Sequence, residues 1–200
     1  MLAQMYYQTH FLTSTECQSL IEYYNENLDK VYRGKFRYPP YAEVNLQRKV
    51  SKIVNLELSD NEDFQKIYQR VADLAKFVND EKFRFDVDWE SSSALPTAVK
   101  VVKYEGEEKG HWARHQNVNW MSNDKQFKIV ASILLSEDHQ FEGGDNVYYF
   151  GDTNEKPSRR DDRSQGTLCI YPAHRVAQTN PVLSGNKYTL DFVFEGPCWK

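Results

Sequence analysis

An α+β fold is what this sequence predicts, with helices first and antiparallel-type strands after. Three observations carry the prediction. Two amphipathic stripes, each opened by a capping pattern, fall within the first 80 residues. Six short runs rich in β-branched and aromatic residues follow from residue 82 onward. Turn residues separate those runs, so the strands are expected to close as a sandwich or roll.

The elements follow in order. "LTSTECQSLIEYYNENLD" places Glu16 three residues after Thr13, the spacing of a capping box, and Leu20, Ile21 and Tyr24 then recur at helical intervals. "YRGKFRYPPYAEVN" (Tyr32–Asn45) carries a Pro-Pro pair and mixed charge, which reads as a loop. A second capping box, Ser59 with Glu62, opens a helix whose Phe64, Ile67, Val71, Leu74 and Val78 form one stripe suited to packing on a sheet. "FRFDVDW" alternates Phe83, Phe85, Val87 and Trp89 with polar residues and predicts a half-buried strand. "TAVKVVKY", "FKIVASILLS", "NVYYF", "GTLCIYP" and "KYTLDFVF" supply the remaining strands. The charged stretch Asp152–Gly166 is expected to be a solvated connector.

Composition narrows the classes. A chain of 200 residues with 40% hydrophobic and 14% aromatic content is expected to form one domain with its own core, mainly helical over 1–80 and β over 81–197. A net charge of −4 offers no general attraction for nucleic acid. Cys17, Cys169 and Cys198 are scattered and odd in number, so neither a disulfide framework nor a zinc knuckle is expected, and reduced thiols suit a cytoplasmic setting. No signal-peptide pattern opens the chain, and no apolar run approaches the ~18 residues of a membrane span.

The chemistry-bearing residues lie in three stretches. "YEGEEKGHWARHQN" holds His111, His115 and Asn117; "LLSEDHQFEGGDNVYYF" holds a Gly-Gly pair before Asp145; "YPAHRVAQTNPVLSGNKYTLDF" holds His174, Ala177 and Lys187. Each alone has a bland reading: a structural histidine, a turn, a surface lysine. In this order they resemble the Fe(II)- and 2-oxoglutarate-dependent dioxygenases, in the prolyl-4-hydroxylase-like branch, over most of the chain.

The resemblance implies a double-stranded β-helix (a jelly roll) with flanking N-terminal helices. It implies Fe(II) and 2-oxoglutarate as cofactors and hydroxylation of a peptide side chain or small molecule. His115 and Asn117 occupy the family's His-x-Asp, with an amide where the carboxylate belongs. Lys187 matches the cation that pairs with the distal carboxylate of 2-oxoglutarate, and Tyr104 the hydroxyl often added to it. Two readings of the second histidine stand side by side. Kept in length, the segment from Tyr171 to Pro181 puts Ala177 in the ligand slot; re-registered by three residues, it puts His174 there. An iron site of His115, Asn117 and His174 follows from the second, and a degenerate barrel that binds a ligand or protein follows from the first.

Overall fold

The computed structural model describes residues 7–34, 48–58, 61–90, 99–117, 124–149 and 159–198. Helix α1 (Ser14–Glu26) starts where Thr13 accepts a hydrogen bond from the Glu16 amide and the Glu16 carboxylate accepts one from the Thr13 amide. It buries Cys17, Leu20, Ile21 and Tyr24, four residues on one helical face. Helix α2 (Glu62–Val78) is capped by Asn61, whose side chain accepts from the amides of Asp63 and Phe64. The expected cap, Ser59, lies outside the described residues. The buried face of α2 comprises Phe64, Ile67, Tyr68, Val71, Ala75 and Val78, with Leu74 at its edge.

The predicted strand over Phe83–Trp89 does not form. A π-helical turn continues α2 over Asn79–Phe83 and ends at Arg84, which adopts a left-handed φ of 57°. The Asn79 side chain then clamps both the amide and the carbonyl of Phe85. Phe85, Val87 and Trp89 still pack on the core, so their alternation reported burial without a ladder.

Thirteen strands are described: β1 (Tyr7–His10), β2 (Tyr32–Arg33), β3 (Lys49–Val50), β4 (Lys52–Asn55), β5 (Val99–Glu105), β6 (His111–His115), β7 (Lys125–Leu134), β8 (Phe141–Gly143), β9 (Asn146–Tyr149), β10 (Arg159–Arg160), β11 (Thr167–Pro172), β12 (Val176–Thr179) and β13 (Val182–Pro197). The large sheet runs β1-β11-β7-β13-β5-β4-β2, with β8 pairing the start of β13. The small sheet runs β10-β9-β12-β6-β3. All strand pairings among the described residues are antiparallel. The N-terminal segment is thus part of the sheet as well as a helical flank.

The period-2 geometry of strands divides the large sheet. One face, with Val99, Val101, Ile129, Ala131, Ile133, Leu190, Phe192 and Phe194, joins the helices in the main core. The other face looks toward the small sheet. There two smaller apolar groups, one around Tyr148 and Tyr171 and one around Tyr104 and Val182, contribute walls to a cleft. No helix among the described residues is long and apolar enough to cross a membrane.

Candidate functional site

The cleft between the sheets has a volume of about 500 Å³, including its open mouth. The large sheet contributes Lys100, Tyr104, Val130, Ser132, Tyr171, Thr189, Asp191 and Val193 to it. The small sheet contributes Trp112, His115, Asn146, Tyr148, Ala177, Gln178 and Thr179, and Asn117 follows β6.

A β-bulge brings His115 into place. Ala177 pairs with His115 and Thr179 with Trp112, so two steps along β12 match three along β6. The extra residue lets the oddly spaced Trp112 and His115 share the inner face. Their rings stack 3.5 Å apart at an angle of 4°. Lys49 Nζ stands 3.4 Å from the Trp112 ring centroid. Two groups this close to one centroid must take opposite faces, so the indole lies between the imidazole and the ammonium.

His115 is neutral. Burial, with Lys49 and Lys100 adding to it, pulls its pKa from 6.5 down to about 3. Its Nδ1–H donates to the Ala113 carbonyl at 2.8 Å, which leaves Nε2 unprotonated, with its lone pair as an acceptor. Asn117 Nδ2 sits 3.3 Å from that Nε2 and 3.3 Å from the Tyr171 hydroxyl. The amide thus meets the histidine with its donor side. Turning it over would set its oxygen against the Nε2 lone pair.

The site residues read from the sequence separate into three places. His115, Asn117 and Tyr104 line the cleft. Ala177 lies between Tyr148 on β9 and His115 on β6, so the position paired with His115 carries a methyl group. His174 is not among the cleft residues. It belongs to the turn before β12, where its carbonyl accepts from Gln116 and its ring meets the edge of Phe85 at 5.8 Å.

Lys187 is buried in an adjoining recess that shares Ser132 and Asn146 with the cleft. Its ammonium donates to the Gly144 carbonyl at 2.7 Å and to Asn146 Oδ1 at 2.8 Å, and burial draws its pKa down to about 8. The Gly-Gly turn depends on glycine. Gly143 and Gly144 have φ of 73° and 68°, and a Cβ on Gly143 would fall 2.4 Å from the Pro181 carbonyl oxygen. Tyr104 shares a hydrogen bond with Thr179, and burial raises its phenol pKa.

An Fe(II) site of the two-histidine, one-carboxylate class needs three converging protein donors. Here one imidazole lone pair faces an amide N–H and a methyl group. No cluster of three His, Cys, Asp or Glu able to hold a metal ion occurs among the described residues. The residues present do not fit iron.

Other cleft residues escaped the sequence reading. Asp191 accepts from the Ser132 hydroxyl at 2.7 Å and is paired in register with Lys100 on β5. Lys100 faces the cleft, and burial lowers its pKa while Asp191 opposes that shift. Strand parity was the available signal: Asp191 shares a face with Lys187, and Lys100 with Tyr104.

No protein-family profile matches the sequence, and no curated protein does. Solved structures do match. A Pseudomonas putida prolyl-4-hydroxylase aligns with TM-score 0.66 at 14% identity, over 96% of this chain and 94% of its own. A Trichoplax adhaerens prolyl hydroxylase, solved with a hypoxia-inducible-factor peptide, aligns with TM-score 0.71 at 14% identity, over 96% and 83%. The fold is that of the prolyl-4-hydroxylases. A viral collagen prolyl hydroxylase from Paramecium Bursaria Chlorella virus-1, in its 2OG complex, gives TM-score 0.62 at 15% identity over 96% of each chain. The double-stranded β-helix expected from the motifs is therefore present, while identities this low speak for fold alone.

Proposed function

We propose that this chain is a ligand-binding form of the prolyl-hydroxylase double-stranded β-helix, whose cleft takes its ligand without iron. One observation carries the reading. Where a second metal-binding side chain would face His115, the strand presents Ala177, and Asn117 closes the remaining approach by donating to His115 Nε2. His174 would need a rebuilt turn to reach that position, and its present contacts with Gln116 and Phe85 hold it elsewhere.

The competing reading is a 2-oxoglutarate-dependent hydroxylase of a peptide or small molecule. It is supported by the unprotonated Nε2 of His115 and by the burial of Lys187 beside Tyr104. Anaerobic Fe(II) titration by calorimetry, with and without 2-oxoglutarate, separates the two. The native chain is expected to show no saturable binding in the micromolar range. The double variant Asn117→Asp/Ala177→His is expected to gain it, because both missing donors are restored on an intact scaffold. Micromolar binding by the native chain, tightened by 2-oxoglutarate, would establish the hydroxylase reading instead.

A further inference from the structure

Two hydrogen-bond donors of the cleft lining, and a third behind it, have no acceptor among the described residues. Trp112 Nε1 is buried without a hydrogen-bond partner among the described residues. Lys100 opens on the cleft and, among the described residues, makes no hydrogen bond or ion pair. Lys49 is only 7% exposed, and among the described residues it makes no hydrogen bond or ion pair, only the contact with the face of the indole. A buried donor without an acceptor ordinarily costs about 1–3 kcal/mol, so Trp112 and Lys100 in the cleft lining, with Lys49 behind the indole, describe a site awaiting acceptors. The charges point the same way. Among the described residues, these two ammonium groups are opposed only by the carboxylate of Asp191, one lone-pair direction of which is already taken by Ser132. His115 adds no charge in its neutral form.

We propose that the cleft binds a small oxyanion, a carboxylate or phosphate group, held by the Lys100 ammonium and the Trp112 Nε1–H, with Lys49 adding charge from behind the indole. This is a different cation from Lys187, whose protons already go to Gly144 and Asn146. Ring stacking on His115 holds the indole plane, so the ring need not reorient when a ligand arrives.

The inference rests on the reading of an iron-free cleft, and the two fail differently. Iron binding by the native chain overturns that reading. Absence of anion binding in a chain that also binds no iron overturns only this inference. The test follows the Trp112 indole N–H in proton–nitrogen correlation spectra of native protein in EDTA, with the peak assigned by its loss in Trp112→Phe. Inorganic phosphate and succinate are titrated separately, with neutral succinamide as the control.

A saturable shift with either anion is expected, weakened roughly tenfold by Lys100→Met and about threefold by Lys49→Met. Lys103→Met, on the opposite face of the same strand, should leave it unchanged. Saturation by phosphate alone assigns a phosphate ligand, and saturation by succinate alone a carboxylate. No saturation by either anion up to about 50 mM, an equal response to succinamide, or unchanged binding in a folded Lys49→Met variant would overturn the proposal. The Lys49 variant keeps the test decisive should Lys100→Met not fold.

Discussion

The two faces of the large sheet differ by one step along each strand. Toward the helices, Val99, Val101, Ile129, Ala131, Ile133, Leu190, Phe192 and Phe194 are at most 2% exposed and wholly apolar. Toward the small sheet, the same strands present Lys100, Ser132, Thr189 and Asp191. Stability is concentrated on the first face, where these eight apolar side chains are almost fully buried. The second face is relieved of that task and carries groups that a purely structural sheet would exclude. Mutations on the helix face should therefore cost more stability than mutations of the groups in and behind the cleft, which include Trp112 and Lys49 on the small sheet opposite.

The largest effect is expected on the helix face. Phe192 is 1% exposed and lies 6.3 Å from the Tyr68 ring. Phe192→Ala should cost about 3–5 kcal/mol, because the helices cannot collapse fully into the space left. Urea denaturation measures it. A loss below about 1 kcal/mol, the scale of an ordinary surface change, would remove the asymmetry between the faces.

The next effect has the opposite sign. Lys49 is buried with its ammonium on the Trp112 face, and burial draws its pKa from 10.5 to about 7. A lysine whose folded pKa is depressed costs stability while both states are charged, which is below about pH 7. The cost fades as the pH rises and is gone above 10.5, where both states are neutral. Lys49→Met should therefore stabilise the ligand-free protein by roughly 2 kcal/mol at low pH, after allowing for the lost cation–π contact. The advantage over native protein should vanish toward pH 10.5. Thermal unfolding of both proteins across that range tests this, and a constant difference would show that charge burial is not its source.

The fold was legible where the signals are local and periodic. The Thr13–Glu16 box, the stripe of α2 and five of the six strand runs appear as read, because capping and alternation act within a few residues. The run Phe83–Trp89 misled because alternation reports burial, and what decides a ladder is a partner strand in register. The site was half legible. His115 and Asn117 stood in one recognisable motif, and the length from Tyr171 to Pro181 pointed to Ala177. Trp112 could not be read as a partner of His115, since a spacing of three places strand residues on opposite faces unless a bulge intervenes. That bulge is set by the pairing of β6 with β12, far apart in sequence. Lys100 and Asp191 become neighbours only through the β5–β13 register.

The smallest expected effect on stability is at Trp112. Replacing it by Phe removes the buried, unpartnered Nε1–H, which relieves about 1–3 kcal/mol. The same change shrinks the ring that stacks on His115 and faces Lys49, a loss of about 1–2 kcal/mol from aromatic and cation–π contact. The two terms nearly offset, so Trp112→Phe should unfold within about 1 kcal/mol of native protein. No such compensation exists for Phe192, whose ring has no orphaned polar atom to relieve. Denaturation of the two aromatic variants side by side makes the contrast direct. A Trp112→Phe loss as large as that of Phe192→Ala would mean that the indole N–H is satisfied in solution and that the cleft face is built for stability after all.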